Sequence, residues 1–340
     1  MTVRDRLREL AQSAADEDHY ADVYGGGELL ETVEREIAQL LGKESAVFMV
    51  SGTMAQQAAL RVHCDRRATR FVACHPQSHL LVSENDAYRR LHGLEAVALG
   101  ERQRLYSLDD LRRVQERVGA VLMELPERNL GGALRPFSEV EEIAAYAREC
   151  GTAMHLDGAR LWETQPFYGM ALDEIARPFD TVYVSFYKAL GAIAGAALAG
   201  PKDVIDEARA WQWRHGGRLV HHFPYVVSAR DALQQRLPLM PRLCERARSI
   251  AAILAAFEDV EVTPNPPPTN MMHVYVRGDR AHFEQAAVRV SLESGVLMPL
   301  RFSATPVPGW AMFELSCGEG SLAITDDETR ELFGKLLARP

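Results

Sequence analysis

Residues 153–191 read AMHLDGARLWETQPFYGMALDEIARPFDTVYVSFYKALG, and the architecture can be read from this stretch. An apolar run at 153–156 leads into an acid, Asp157. A second apolar run at 181–184 leads, through Ser185, into a lysine, Lys188. Both runs are short and almost continuously apolar, the pattern of strands buried on both faces of a parallel sheet. The interval between the two polar residues is about one strand–helix–strand unit, which would place them on nearby strand ends.

Working outward, the same alternation repeats. Apolar runs at 45–49 (SAVFM), 70–73, 96–99 and 120–124 predict further strands. Helical patterns are predicted between them over 55–63, over 108–118 after Ser107 as a cap, and over 138–148 with Ser138 at its start. This alternation predicts an α/β fold with a mostly parallel sheet flanked by helices. From about residue 240 the pattern changes. A long helix is predicted over 240–258, a proline break at 264–268 (PNPPP), strand patterns at 272–276 and 312–315, a helix near 280–292 and a last helix from Asp326. The expected organisation is a large domain over residues 15–240. A smaller α+β domain over 241–340 would be joined by an N-terminal helix within residues 1–14.

Composition narrows the class. The chain has 340 residues, 47% hydrophobic and 25% charged, with a formal net charge of −9. Its arginines are scattered, as at Arg61, Arg66, Arg67 and Arg70, so no nucleic-acid partner is expected. The five cysteines are odd in number and form no CxxC pair, which argues against a disulfide framework and against a zinc or other metal site. The first residues, MTVRDRLREL, lack a signal-type apolar core. The small-residue run 189–200 is too short to span a bilayer. A cytoplasmic protein with no membrane partner is expected.

Four elements carry candidate chemistry. Lys188 follows an apolar strand and precedes small residues; it reads either as a buried amine able to attack an aldehyde or as a solvent-facing strand-end lysine. Asp157 ends a parallel strand, where such sheets place ligands. It suits the carboxylate that pyridoxal phosphate (PLP) needs beside its ring nitrogen, or else a helix-capping acid paired with Arg160. Ser51-Gly52-Thr53 is a strand, glycine turn and helix start, fit for a phosphate or for an ordinary cap. His79 reads as a base, as a ring-stacking group or as a structural imidazole.

Together, in the order Ser-Gly-Thr, His, Asp, Lys, these elements resemble the threonine aldolase branch of the β-eliminating lyases, which are fold-type I PLP enzymes. The matching stretches are YGGGELLETVEREIAQLLGKESAVFMVSGTMAQ (24–56), HLDGARLWE (155–163), SFYKALGAIAG (185–195) and PPPTNMMHVYV (266–276). The resemblance implies a seven-stranded type of sheet. It implies that Lys188 forms the Schiff base with PLP and that Asp157 pairs with the pyridinium. Arg160 would lie near the ring hydroxyl, Gly52, Thr53 and Ser185 on the phosphate side, and His79 over the ring with Glu84 nearby. Arg214 and Arg218 fall where the family carries basic residues near the phosphate, often facing a neighbouring subunit, so a homodimer or homotetramer with shared sites is implied.

The sequence departs from the family on the substrate side. No Arg-Ser-Asp-Thr segment opens the chain, Leu130 stands where a second active-site histidine is usual, and Phe313-Glu314-Leu315 occupies the place of an arginine that grips the substrate carboxylate. Arg128, Arg218 and Arg301 are the candidates to replace it. The implied reaction is cleavage of an L-β-hydroxy-α-amino acid to glycine and an aldehyde, with His79 as base. Other PLP chemistry on the same scaffold, such as β-elimination, transamination or condensation, is the alternative. A nucleotide-binding α/β protein would call for a GxGxxG turn after the first strand, and there is none there.

Overall fold

In the computed structural model, which describes residues 2–14 and 18–338, the apolar runs become strands of one sheet. Two units are distinguished: Met1–Pro126 with Arg135–Pro238, and Glu127–Leu134 with Leu239–Pro340.

Among the described residues the first unit holds a sheet of seven strands: β1 (Ser45–Met49), β2 (Phe71–Cys74), β3 (Glu95–Ala98), β4 (Val118–Glu124), β5 (Ala153–Gly158), β6 (Thr181–Ser185) and β7 (Ala196–Gly200). Their order is β1-β7-β6-β5-β4-β2-β3. Strands β3, β2, β4, β5 and β6 pair in parallel, while β7 runs antiparallel to both β1 and β6. Every residue of β4 is buried, as expected of a strand covered on both faces. Each fully buried valine or leucine of such a strand contributes about 1.5–3 kcal/mol.

β7 is concealed in the run 189–200. Its sequence, AALAG, has no β-branched or aromatic residue and so carries no strand signal of its own. The neighbouring strands impose its conformation, and its small side chains admit a helix against the sheet. That helix, Gly52–Arg66, brings Ala55, Ala58 and Ala59 against Ala196 and Leu198. The same close approach recurs at Gly119 in β4, where a Cβ would come within 2.7 Å of the Cys64 Cα.

Two helix expectations need correction. The helix predicted over 108–118 is confined to Leu108–Arg112, because Val118 and Gly119 already belong to β4. Its cap is as expected: the Ser107 hydroxyl accepts from the Asp110 amide, and the Asp110 carboxylate accepts from the Ser107 amide. The helix predicted from Ser138 begins at Phe137 after Pro136, so Ser138 is not its cap.

In the second unit β8 (Val260–Thr263), β9 (Met271–Arg277), β10 (Ser303–Ala304) and β11 (Trp310–Ser316) form an antiparallel sheet in the order β10-β11-β9-β8. Helices Met240–Leu254, Arg280–Ser294 and Asp326–Leu337 supply apolar residues to its core, which includes Leu254, Val274, Phe283, Phe302, Phe313 and Phe333.

The grouping of segments differs from the expected boundaries in two places. Helix α1 (Val3–Ser13) falls in the first unit, where Arg6 reaches the Gly191 carbonyl at 3.4 Å and Arg236 pairs with Glu9 at 3.5 Å. None of its residues is buried, so its sequence pattern says little about which unit holds it. Residues 127–134 join the second unit, where a Cβ at Gly131 would strike the Thr263 carbonyl. The expected boundary at residue 15 lies outside the described residues.

Candidate active site

The sequence-predicted residues of the first unit converge at the C-terminal ends of its parallel strands, where such sheets bind ligands. Asp157 sits near the end of β5, Ser185 ends β6, and the Ser51-Gly52-Thr53 turn follows β1. His79 opens a short helical turn, His79–Val82, after β2. Lys188 lies half-buried beyond β6, and its charge acts on His79, as does that of Asp157.

The turn after β1 is a genuine helix start. The Ser51 hydroxyl accepts from the Met54 amide at 3.3 Å, leaving Gly52 and the half-buried Thr53 in the first turn of the helix. Amides of a first helical turn have no carbonyl partner within the helix. The Gly52 amide donates to the Tyr187 hydroxyl at 3.2 Å, which lies 3.5 Å from the Tyr183 hydroxyl. Burial drives the Tyr183 hydroxyl well above its ordinary pKa. Glycine is required at position 52 because any Cβ there would run into that hydroxyl. Ser185 is fully buried, and its Oγ has no hydrogen-bond partner among the described residues.

Around Asp157 the polar groups form one network. Gln56 Nε2 donates to Asp157 Oδ2 at 2.8 Å and to Glu84 Oε1 at 3.0 Å, and Gln57 Nε2 donates to Glu84 Oε2 at 2.7 Å. Asp157 Oδ1 accepts the Ala159 amide at 3.0 Å. His79 Nδ1 lies 3.0 Å from Glu84 Oε1, and this hydrogen bond raises the imidazole above its ordinary 6.5 against the opposing effect of burial. A third carboxyl, Glu124 at the end of β4, is the register partner of Asp157 and accepts the His79 amide at 2.5 Å. Burial, followed by the charge of Asp157, pushes Glu124 up to about 7.

Asp157, Glu84 and Glu124 are all buried, and the charge of Lys188 and the imidazole of His79 act close to them. Buried carboxylates need positive or donor-rich partners, so this arrangement favours a cationic ring between Asp157 and the histidine. PLP fits the donor set. Ser185 Oγ and the amides at the start of Gly52–Arg66 suit its phosphate, Asp157 its pyridinium and Lys188 its aldehyde.

Three expected arginines have partners within the protein. The Arg160 guanidinium pairs with Glu163 at 3.3 Å, and Asp157 takes its hydrogen bonds from Gln56 and Ala159. Arg218 donates to the Tyr24 carbonyl and stacks over Trp213 at 4.3 Å, and Arg214 stacks over Trp211 at 4.4 Å. In the second unit, the part-exposed Glu314 of β11 pairs with Arg128 at 2.9 Å and lies 3.9 Å from His273 of β9. Burial pushes His273 below its ordinary value. Leu130 lies half-buried in a short 3-10 turn, and Arg301 is exposed.

Five residues of the site were not singled out from sequence: Gln56, Gln57, Glu124, Tyr183 and Tyr187. A signal existed for two of them. Gln56 lies one helical turn after Gly52, and Glu124 ends an apolar strand much as Asp157 does.

A family model for β-eliminating lyases matches residues 5–279. Low-specificity L-threonine aldolase 1 of Arabidopsis thaliana is 25% identical over 89% of this chain and 86% of its own length. The crystal structure of a Listeria monocytogenes protein assigned as an L-allo-threonine aldolase superposes with a TM-score of 0.93 at 40% identity, covering 98% of this chain and 92% of that one. The fold is also that of Sphingomonas wittichii serine palmitoyltransferase, with a TM-score of 0.69 at 16% identity over 98% of this chain and 82% of that one.

Proposed function

We propose that this chain, which belongs to the β-eliminating lyase family, is a PLP-dependent aldolase that cleaves an L-β-hydroxy-α-amino acid to glycine and an aldehyde. The observation that carries this reading is the network joining Asp157, Gln56, Glu84 and His79, set beside Lys188 and the start of Gly52–Arg66. The names of the threonine aldolase relatives support the choice of reaction.

Bound PLP would supply a protonated ring able to delocalise the negative charge left on the substrate α-carbon when the Cα–Cβ bond breaks. Lys188 would hold the cofactor covalently. The Asp157 carboxylate would keep a proton on the ring nitrogen, with Gln56 and the Ala159 amide fixing its orientation. Ser185, Gly52 and Thr53 would take the phosphate. His79 directs Nδ1 at the Glu84 carboxylate, so Nδ1 carries the ring proton and Nε2 is the atom that accepts one from the substrate β-hydroxyl. The raised pKa of His79 places the acid limb of activity above pH 6.5.

A homodimer or homotetramer in the cytoplasm belongs to the same proposal. Exposed Tyr24, Trp213 and Phe223 support a subunit contact, and Arg218, stacked on Trp213, would serve the neighbouring phosphate. The five cysteines are free, in keeping with a reducing compartment.

The test is borohydride reduction of the purified protein followed by peptide mapping. Products from L-threonine, L-allo-threonine and phenylserine are then assayed separately. The expected results are a reduced pyridoxyl label on Lys188, glycine with the matching aldehyde, and neither label nor turnover in Lys188→Ala. A label elsewhere would refute the lysine assignment, and keto acid or ammonia as the only products would refute the aldol reaction.

A further inference from the structure

The turn that carries His79 is only four residues long, and its N-cap, Ser78, makes no side-chain cap bond. Opening amides of a helical turn need an acceptor from outside it. The acceptor for His79 comes from 45 residues away: its amide donates to Glu124 Oε1 at 2.5 Å. Glu124 is 6% exposed and makes no ion pair with a lysine or arginine among the described residues. It stands opposite Asp157 in the β4–β5 register. His79 is therefore gripped twice, at its backbone by Glu124 and at its ring by Glu84.

We propose that Glu124 is a positioning residue, a remote cap that holds His79 at a fixed place relative to Asp157. The argument rests on the reading above, in which His79 serves the site. A backbone amide anchored to the rigid sheet restricts where the imidazole can stand, while the bond from Nδ1 to Glu84 alone fixes only its rotation. The two strand ends supply both reference points: Asp157 addresses the ring nitrogen, and Glu124 addresses the turn that carries the histidine. Burial works against a charge on Glu124 and drives its pKa up. Either protonation state keeps an oxygen that accepts the His79 amide, so the cap survives titration.

Three variants separate this role from a general structural one. Glu124→Met removes the acceptor at similar volume. Glu124→Asp keeps the charge but shortens the reach by one methylene. Glu124→Gln keeps the reach and an accepting oxygen without the charge. Hydrogen–deuterium exchange at the His79 amide is measured in the cofactor-free protein, and kcat, KM and PLP content in the holoenzyme. The expected result for Met and Asp is exchange at His79 faster by about tenfold or more, with a similar fall in kcat. KM and PLP content should stay within about twofold. Gln should restore exchange and kcat to within about threefold of the parent. Parental exchange in the Met and Asp variants would overturn the proposal, as would a Gln variant as impaired as Met. If Met fails to fold, the Asp and Gln pair decides alone. Exchange needs neither cofactor nor substrate, so a failure of the aldolase reading leaves this test intact.

Discussion

Replacing Asp157 with asparagine probes the site through a single oxygen. Asp157 uses Oδ1 for the Ala159 amide and Oδ2 for Gln56 Nε2, and a carboxylate retains further lone pairs for a ring N–H. Asparagine replaces one oxygen with a donor, which must then face one of these two donors. The Ala159 amide is fixed in the backbone. Gln56 is not: its Oε1 has no partner, so its amide can turn over and accept from the new NH2. That turn withdraws Nε2 from Glu84, which keeps Gln57 but loses a bond of 3.0 Å. Two effects follow. The charge-assisted bond to the cofactor is lost, at about 1.5–3 kcal/mol, or roughly 10- to 150-fold in PLP affinity. Glu84, short of one donor, holds the His79 proton more firmly and moves the acid limb of activity to higher pH. Turnover falls further than affinity, because a neutral amide cannot keep the ring nitrogen protonated. Absorbance titration of the cofactor-free protein with PLP gives the affinity, and kcat at saturating PLP gives the rest. An Asp157→Asn variant that binds PLP within about twofold and turns over at the parental rate would refute this account of the network.

Two further outcomes follow from buried groups. His63 and His155 both hydrogen-bond the Thr181 hydroxyl at 2.8 Å, and burial holds them down to about 4 and about 3 against an ordinary 6.5. The unfolded chain binds these protons first, so stability is full above pH 6.5 and falls toward the folded values. Lowering the pH from 7 to 5 costs roughly 4 kcal/mol for the pair, readable by urea unfolding, and His155→Gln should remove about half of that pH dependence; an unchanged slope would exclude the pair as its source. In Gly52→Ala the added Cβ meets the buried Tyr183 hydroxyl, so a stability loss of about 1–3 kcal/mol and weaker PLP binding are expected, and a parental melting temperature would contradict the packing.

The sequence by itself determined much of this protein. The apolar runs ending at Asp157 and Ser185, with the helical patterns between them, carry their own periodicity, and periodicity is a local property that a single chain displays. The strand-end placement of Asp157, Ser185 and the Ser51-Gly52-Thr53 turn follows from the same pattern. Only the tertiary structure decided β7, because AALAG has no strand preference until β1 and β6 flank it. It also decided the partners. Arg160 stands three residues from Asp157 yet pairs with Glu163, and Glu314 meets Arg128 across more than half the length of the chain. Gln56, Glu84 and Glu124 have no shared motif; Gln56 reaches Glu84 and Asp157 from helix Gly52–Arg66, and Glu124, beside Asp157 in the register, joins through the His79 amide. Hydrogen bonds act over about 3 Å, so such a network exists only once distant segments are packed together, and no one-dimensional pattern encodes that distance.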